Sequence, residues 1–303
     1  MPKMKMTITS AAGITVVAIA LGCSPATAQQ AASHDPMPTT NATPTEQPKG
    51  KAFSRPMDAA AALYAAARRD DDAMLLTILG PNGKEIVEWN EDANERREQR
   101  AMFVQKYDQM HRLVREPDST VALYVGAENW PLPIPLVKFK NAWYFDSDLG
   151  RQEIQYRRIG RNEMEALEVC HTLIDAEKEF QAVAHQYTAK FVSGSATHDG
   201  LYWKSTDDKA RSPIGPYLAH AGVGEADSGK AEPFYGYFYR ITLQGSDGYS
   251  IVAFPAEYRS SGVMTFMVKP DGTAYEKDLG DKTPALAKQL AASNSDDSWK
   301  KVD

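Results

Sequence analysis

The sequence predicts an α+β fold built as two modules, over residues 53–156 and 157–303. The first module opens with apolar residues at helical spacing and then changes to the two-residue alternation of strands. The second repeats this order, with one long amphipathic pattern followed by strand-like runs. Because helices and strands are segregated within each module, we expect antiparallel sheets, one from residues 120–146 and one from residues 234–278.

The first module is predicted to contain three helices and a strand meander. An alanine-rich helix reaches about Arg69, and a second, shorter helix stops at Gly80. A highly charged helix is predicted over residues 93–115, with a buried stripe made by Phe103, Tyr107, Met110 and Val114. Strand patterns follow over residues 120–126 and in a hairpin that turns near Asn141. This order resembles the layout of nuclear-transport-factor-2-like domains, a likeness of fold that implies no activity.

The second module is predicted to begin with one long helix. From Asn162 to Val192 apolar residues recur at helical spacing, namely Leu167, Cys170, Leu173, Ile174, Phe180, Ala184, Tyr187 and Phe191. Strand runs complete the chain, and the last contains the turn sequence Pro270-Asp271-Gly272, so we expect a hairpin there. A long helix on an antiparallel sheet resembles the heads of type IV pilins and pseudopilins, although the apolar membrane half of a pilin helix is missing.

Residues 1–28 have the pattern of a signal peptide. Two lysines precede the apolar run from Ala11 to Leu21, which is too short to span a bilayer, since a spanning helix needs about 20 residues. Small residues end at Ala28, which predicts cleavage there and a periplasmic or secreted mature protein. The alternative is a lipoprotein signal, ALGC, in which Cys23 would carry a lipid anchor.

The amino-acid composition limits the kinds of partner that the protein can bind. Residues 29–52 are rich in Pro, Thr, Ala and Gln and predict a disordered tether. No later segment is apolar enough to span a bilayer. The chain has a net charge of −6, and cleavage after Ala28 removes two lysines and no acid. An acidic chain does not suit a nucleic-acid partner, which requires a basic surface, so we expect an unidentified envelope component instead.

The sequence predicts no cofactor and no metal site. After cleavage Cys170 is the remaining cysteine, so no intramolecular disulfide can form. Its place on the apolar stripe predicts a buried, unreactive thiol. His171 and Asp175, at positions i and i+4, are a possible pair of ligands, but a protein metal site requires at least a third.

The stretch HDGLYW, His198 to Trp203, is the strongest candidate for chemistry. In one interpretation Asp199 orients His198 as a base that activates Ser193 or Ser195. In the other, the Asp-Gly pair makes a turn and the next three residues fold back as a hydrophobic plug, namely Leu201, Tyr202 and Trp203. Adjacent residues seldom point the right way for a catalytic pair, and no G-x-S-x-G elbow is present. The sequence therefore favours the plug.

Further candidate ligand contacts are two arginines and three aromatic residues. Arg157 and Arg158 lie near the predicted module boundary, where they either hold an anionic ligand or pack against acidic side chains. Tyr235 and Tyr237 alternate on one face of a predicted strand and either stack on a ligand or fill the core. Trp203 has the same two interpretations. In each case the sequence favours the structural one.

Several phrases of the sequence together resemble one bacterial family. They occur in the order WPLPIPLV, WYFD, RRIGRNE, HDGLYW, FYGYFYRI, FPAEYRSSGVMTF and YEKDLG. They are similar to the secreted proteins catalogued as domain of unknown function 2950 (DUF2950), from about Phe53 to the C-terminus. The resemblance implies an exported envelope protein without an assigned reaction. We expect a non-catalytic binding or scaffolding protein; the alternative is a periplasmic hydrolase that uses His198 and Asp199.

Overall fold

The structure is a computed structural model that describes residues 47–89, 92–194, 197–204, 211–223, 231–245, 248–290 and 298–302. Within these ranges the chain forms two compact units that divide between Ile154 and Gln155. The predicted signal peptide, the alternative lipid site at Cys23, most of the predicted tether and Ser195 lie outside the described residues. Among the helices that are described, none combines the length and the apolar composition needed to cross a membrane.

The first unit begins with three helices, α1 (Pro56–Arg68), α2 (Asp72–Leu79) and α3 (Lys84–Val87). A proline in the first turn of α1 suits the helix, because its fixed φ is helical and no N–H is needed there. The Asp71 carboxylate caps α2 by accepting the N–H of Met74 at 2.9 Å. The helix ends at Gly80, which has a positive φ of 75°. The predicted ends of the first two helices are confirmed.

The charged helix of the first unit is shorter than predicted. Helix α4 covers Ala93–Gln109, and His111–Arg115 form strand β1. Met110 and Val114, which the sequence places on the helix stripe, therefore lie beyond its end. Met110 leaves the helix in an extended conformation, with φ −167°. The helical spacing is misleading here because β1 is stabilised by antiparallel pairing with residues 121–125, a partner that local periodicity does not reveal.

A five-stranded antiparallel sheet completes the first unit. It contains β1, β2 (Val121–Val125), β3 (Trp130–Pro131), β4 (Leu136–Phe139) and β5 (Ala142–Phe145). The order is β1-β2-β4-β5, and β3 pairs with β2. The predicted hairpin is confirmed: β4 and β5 join through Lys140, at a positive φ of 53°, and Asn141. Helices and sheet bury a shared apolar core that includes Leu63, Ile78, Phe103, Leu123, Leu136 and Phe145.

The long helix occupies different residues from those predicted. Helix α5 covers Ser147–Ala184, whereas the sequence predicts Asn162 to Val192. Asp146 reads as the end of a strand, but its carboxylate also accepts the N–H of Leu149 at 3.0 Å and so caps the helix. At the other end His185 has a positive φ of 57°, a conformation that ends helices. The division between the two units therefore lies within α5.

The second unit contains a separate five-stranded antiparallel sheet. Before the sheet comes a short helix, α6 (Pro216–His220). The later elements are β6 (Tyr237–Gln244), β7 (Gly248–Pro255), β8 (Met264–Val268), β9 (Ala274–Asp278), α7 (Thr283–Ala287) and β10 (Lys300–Lys301). The strand order is β10-β9-β8-β7-β6. Residues 166–180 of α5 pack on one face of this sheet. The other face packs against Ala287, Leu290 and Trp299, so both faces are buried.

The α+β class and the two antiparallel sheets are confirmed. Strands β2 to β5 and β6 to β9 account for the predicted sheets, and β1 and β10 extend them. The likenesses to nuclear-transport-factor-2-like domains and to pilin heads remain predictions.

Candidate functional site

The HDGLYW stretch is one side of a short backbone pairing in the second unit. Residues 190–193 run beside residues 200–202, and a parallel bridge joins the two segments. The N–H of Tyr202 donates to the carbonyl of Phe191 at 2.8 Å. The N–H of Ser193 in turn donates to the carbonyl of Tyr202 at 2.8 Å. These bonds fix the turn that carries the candidate histidine and aspartate.

The residue that plugs the core from this turn is Leu201, which is fully buried. The sequence places Tyr202 and Trp203 in the plug as well, but both are only half-buried. Tyr202 still packs in part against the core cluster that encloses Leu201, so the plug is Leu201 with partial packing from Tyr202. A Cβ on Gly200 would lie 2.8 Å from the carbonyl carbon of Val192, so the close approach of the two backbones requires glycine.

The Asp199 carboxylate holds its own turn together. Its Oδ2 pairs with the Lys190 ammonium, and its Oδ1 accepts the Thr197 hydroxyl at 2.6 Å and the Gly194 N–H at 3.0 Å. The Lys190 pair and these two hydrogen bonds hold the pKa of Asp199 well below its usual range. The carboxylate is therefore charged at neutral pH, and its bonds hold the turn together.

The other members of the candidate catalytic set are also engaged. The imidazole of His198 is exposed and stacks on the Trp203 indole, with 4.7 Å between the ring centroids. The Ser193 hydroxyl donates to the carbonyl of Gly200 at 3.1 Å and accepts its N–H at 2.9 Å. The alternative nucleophile, Ser195, lies outside the described residues. The described side chains therefore form contacts that stabilise the turn.

Polar side chains of α5 bind the turn between β7 and β8. Gln155 Nε2 and Arg158 Nη2 each donate to the carbonyl of Ser260 at 2.8 Å. One helical turn further on, Asn162 Nδ2 donates to the carbonyl of Ser261 at 2.8 Å. These bonds join two of the family-like phrases, RRIGRNE and FPAEYRSSGVMTF, so the two phrases form a structural pair.

Glu163 completes this contact from a buried position. Its Oε1 accepts the N–H groups of Val263 and Met264, each at 3.0 Å. The buried Tyr237 hydroxyl donates to the carbonyl of Met264 at 2.9 Å. We call the contacts of α5 with residues 257–264 the clasp. The clasp satisfies backbone groups that the turn between β7 and β8 would otherwise bury unpaired.

The candidate ligand contacts have different environments. Arg158 belongs to the clasp, and Arg157 is half-buried on the same helix. Tyr237 is fully buried and faces the core, as the structural interpretation predicts. Tyr235 is 45 % exposed, with a positive φ of 51°. Tyr235 and the half-buried Arg157 and Trp203 are therefore the candidates whose side chains reach the surface.

A buried acid that the sequence analysis missed lies beneath the HDGLYW turn. Glu177 on α5 is fully buried, and its Oε2 accepts the N–H of Thr188 at 3.2 Å. Its Oε1 has no hydrogen-bond partner within the described residues. Burial raises the pKa of Glu177 to about 7, and the Thr188 hydrogen bond opposes the shift. The hydroxyl of Tyr249, a buried neighbour on β7, donates to the carbonyl of Ile174 at 3.3 Å.

The sequence does contain a signal for the two buried acids. Glu163 lies seven residues before Cys170, and Glu177 lies three residues after Ile174, so both fall on the apolar stripe of the helix. A carboxyl group at such a position is buried with the stripe and has to find a partner. A helix pattern defined by its apolar residues alone leaves out both Glu163 and Glu177.

The remaining chemistry of the described residues is limited. Cys170 is a fully buried free thiol, and burial raises its pKa far above the usual range. In the part of the chain that the structure describes, we find no metal-binding group of three or more side chains from histidine, cysteine, aspartate or glutamate.

The first unit has a small, partly open cavity of about 50 Å³. Gln99 lines it, and the buried Gln99 Oε1 has no hydrogen-bond partner among the residues described. The neighbouring Arg100 is held by Asp70 and Asp72. The other walls are mostly apolar and include Leu63, Leu75, Val87 and Phe103. A cavity that binds benzene measures about 150 Å³, so this one is too small for an ordinary organic substrate.

Comparison with known proteins identifies a family but no relative of known activity. No curated protein and no solved structure matches the chain. The family model described as "Protein of unknown function (DUF2950)" matches residues 50–302, which is most of the chain and includes both the clasp and the HDGLYW turn. The chain therefore belongs to the DUF2950 family.

Proposed function

We propose that the protein is exported across a bacterial cytoplasmic membrane and serves in the cell envelope as a non-catalytic binding or scaffolding protein. The sequence of residues 1–28 supports export, because an apolar run of this length followed by small residues is typical of a cleaved signal peptide. The acidic composition supports a partner other than a nucleic acid.

The observation that carries the non-catalytic part is the position of the Asp199 carboxylate. A hydrolase of the Ser-His-Asp kind uses its aspartate to orient the imidazole of the histidine. Here the two oxygens of Asp199 bind Lys190, Thr197 and Gly194 instead. His198 stacks on an indole ring. The residues that looked most like an active site are thus explained by the stability of the turn.

We propose the outer side of the HDGLYW turn as the binding surface. Val192 is 46 % exposed, and its partner in the backbone bridge, Tyr202, is half-buried. The stack of His198 on Trp203 belongs to the same turn. Exposed apolar and aromatic side chains of this kind are enriched in protein interfaces. The surface therefore suits a protein component of the envelope.

Photo-crosslinking in living cells tests this surface. A benzophenone amino acid replaces Val192 in one variant and Val183 in the control, because Val183 is an exposed apolar residue of α5, 81 % accessible, that is not part of the turn. Irradiation is expected to produce a defined crosslinked species from position 192 and none from position 183. Equal labelling at both positions, or none at position 192, would show that the turn is not the binding surface.

Export and processing are tested by mass spectrometry of the protein recovered from the periplasm. We propose that the mature protein begins at Gln29, directly after the predicted cleavage at Ala28, and carries no lipid. A diacylated Cys23 would replace this assignment with a membrane-anchored lipoprotein. Recovery of the intact chain from the cytoplasm would overturn the proposal of export altogether.

A further inference from the structure

The C-terminal part of α5 is tied to the segment that follows it by one buried acid. We call residues 185–194 the docking segment, because they leave α5 at His185 and run back to pair with residues 200–202. Thr188 is the point of attachment. Its N–H donates to Glu177, while its hydroxyl donates to the Asp199 carbonyl at 2.8 Å and accepts the Lys190 N–H at 3.1 Å.

Glu177 is placed so that its charge is unfavourable when the segment is docked. The side chain is fully buried, and Oε1 has no hydrogen-bond partner within the described residues. A buried carboxylate without a counter-charge costs far more free energy than a buried neutral acid. Opening the docking segment would let water reach the carboxylate, so ionisation of Glu177 favours opening.

The charged and titratable groups around Glu177 do not neutralise it. On β7 and in the docking segment, Tyr249 and Tyr187 pack ring to ring at 4.7 Å. On α5, the ammonium of Lys178 pairs with the exposed Asp175 at 3.3 Å. The two charged groups beyond Thr188, Lys190 and Asp199, pair with each other, and His185 is exposed at the end of the helix. The nearby cationic side chains are thus either paired with other acids or exposed to solvent, and none of them forms an ion pair with Glu177 among the described residues.

We propose that Glu177 is a pH-sensitive latch on the docking segment, held closed most firmly in acid and loosened when the carboxyl loses its proton. The released element is the segment that braces the HDGLYW turn, so pH would control the order of that turn. The proposal concerns a property of the fold itself, and it stands whether or not the turn binds an envelope partner.

The direction and range of the effect follow from linkage. Burial raises the pKa of Glu177 from 4.5 to about 7, so the docked state holds the proton more tightly than the open state does. The equilibrium constant for opening therefore rises with pH between these two values and then levels off. With this shift, the rise from about pH 5 to about pH 8 is on the order of 50-fold.

Amide hydrogen exchange of the full mature chain, corrected for intrinsic rates, tests the latch. The protection of the Thr188, Lys190 and Leu201 amides is expected to fall on the order of 50-fold from about pH 5 to about pH 8. Amides of β8 should stay better protected than the three reporter amides at every pH, because local opening of the docking segment does not expose them. In Glu177→Gln the protection of the three reporter amides should not vary with pH, whereas the exposed control Glu179→Gln should behave as the wild type.

A second variant keeps the test decisive if Glu177→Gln folds poorly. Thr188→Val removes the hydroxyl bonds to Asp199 and Lys190 but keeps the N–H that binds Glu177. It should lower protection at every pH without changing the pH dependence. Protection that is independent of pH in the wild type, or that falls equally in Glu177→Gln, would overturn the latch. Reporter amides that are no better exposed to exchange than those of β8 at every pH would also overturn it, since that indicates exchange through unfolding of the whole unit.

Discussion

The imidazole of His198 stacks on the indole of Trp203, with 4.7 Å between the ring centroids and 26° between the ring planes. The two rings belong to the outer side of a turn whose inner side is the fully buried Leu201. His198 also has a positive φ of 44°, which histidine adopts more readily than most residues with a larger or branched side chain. The position of His198 is therefore explained by the shape of the turn and by contact with Trp203.

The first prediction compares the inner and outer sides of this turn. Leu201→Ala is expected to lower the free energy of unfolding by about 2–5 kcal/mol, because it leaves a cavity in the core. His198→Ala should cost no more than about 1 kcal/mol, because the exposed side chain loses only its stack on Trp203 and its preference for the positive φ. Urea unfolding of both variants measures the difference. A larger loss for His198→Ala than for Leu201→Ala would contradict the assignment of Leu201 as the plug.

The second prediction concerns the clasp. Glu163→Ala removes the acceptor for the N–H groups of Val263 and Met264 and is expected to cost at least about 2 kcal/mol of unfolding free energy. Loss of helix propensity cannot explain such a cost, because alanine is the better helix former. Glu168→Ala, at an exposed position of α5, is the matched control and should stay within about 0.5 kcal/mol of the wild type. Equal stabilities of the two variants would show that the clasp contributes little.

The third prediction uses two glycines with opposite surroundings. A Cβ built on Gly160, inside α5, meets no atom within 4 Å, so Gly160→Ala should stabilise the protein by about 0.5–1 kcal/mol. A Cβ on Gly262 would overlap the buried Tyr237 ring, 2.6 Å from its Cε2. Gly262→Ala should therefore cost about 1–3 kcal/mol. Thermal melts of both variants check the signs, and a stabilising Gly262→Ala would contradict the packing of Tyr237 against the clasp.

The fourth prediction is a pH dependence of global stability that comes from Glu177. Its pKa is raised from 4.5 to about 7 in the folded protein, so the folded state binds the proton more tightly than the unfolded state. Its contribution to stability is therefore complete below about pH 4.5 and is lost as the pH rises to about 7. The loss is about 3 kcal/mol at most.

Glu177→Gln isolates this contribution, because glutamine keeps the shape and does not titrate. Urea unfolding at a series of pH values should show that the wild type loses stability relative to Glu177→Gln as the pH rises through this window. The Glu179→Gln control should run parallel to the wild type. A constant difference between wild type and Glu177→Gln across the window would mean that Glu177 is not titrating in the folded protein.

The parts of the fold that the sequence predicts correctly have local signals. Helix α2 stops at a glycine, and the hairpins at Asn141 and Pro270 contain turn residues, so the chain near each position decides its structure. Strand β1 has no such signal, because its pairing with β2 forms across a turn and its side chains keep a helix-like spacing. The start of α5 is missed for a related reason: Asp146 both follows a strand and caps a helix.

In the candidate site, too, only the features with a local sequence signal can be predicted. The turn at Gly200 can be predicted from the Asp-Gly pair, since that pair favours turns wherever it occurs. The pairing of the Asp199 carboxylate with Lys190 cannot be predicted in this way. Lys190 lies on the other side of a backbone pairing that forms only when the chain folds. Glu163 and Glu177 are visible as acids on an apolar stripe, but what each one binds depends on segments elsewhere in the chain.

Functional complementation by His198→Ala in a strain lacking the gene tests most directly whether His198 and Asp199 build a turn and perform no catalysis. The same variant is followed by thermal melting, with Leu201→Ala as the destabilised comparison. We expect His198→Ala to melt close to the wild type and to restore function, while Leu201→Ala loses function in step with its stability. A His198→Ala protein that folds normally and fails to restore function would show that His198 acts in catalysis.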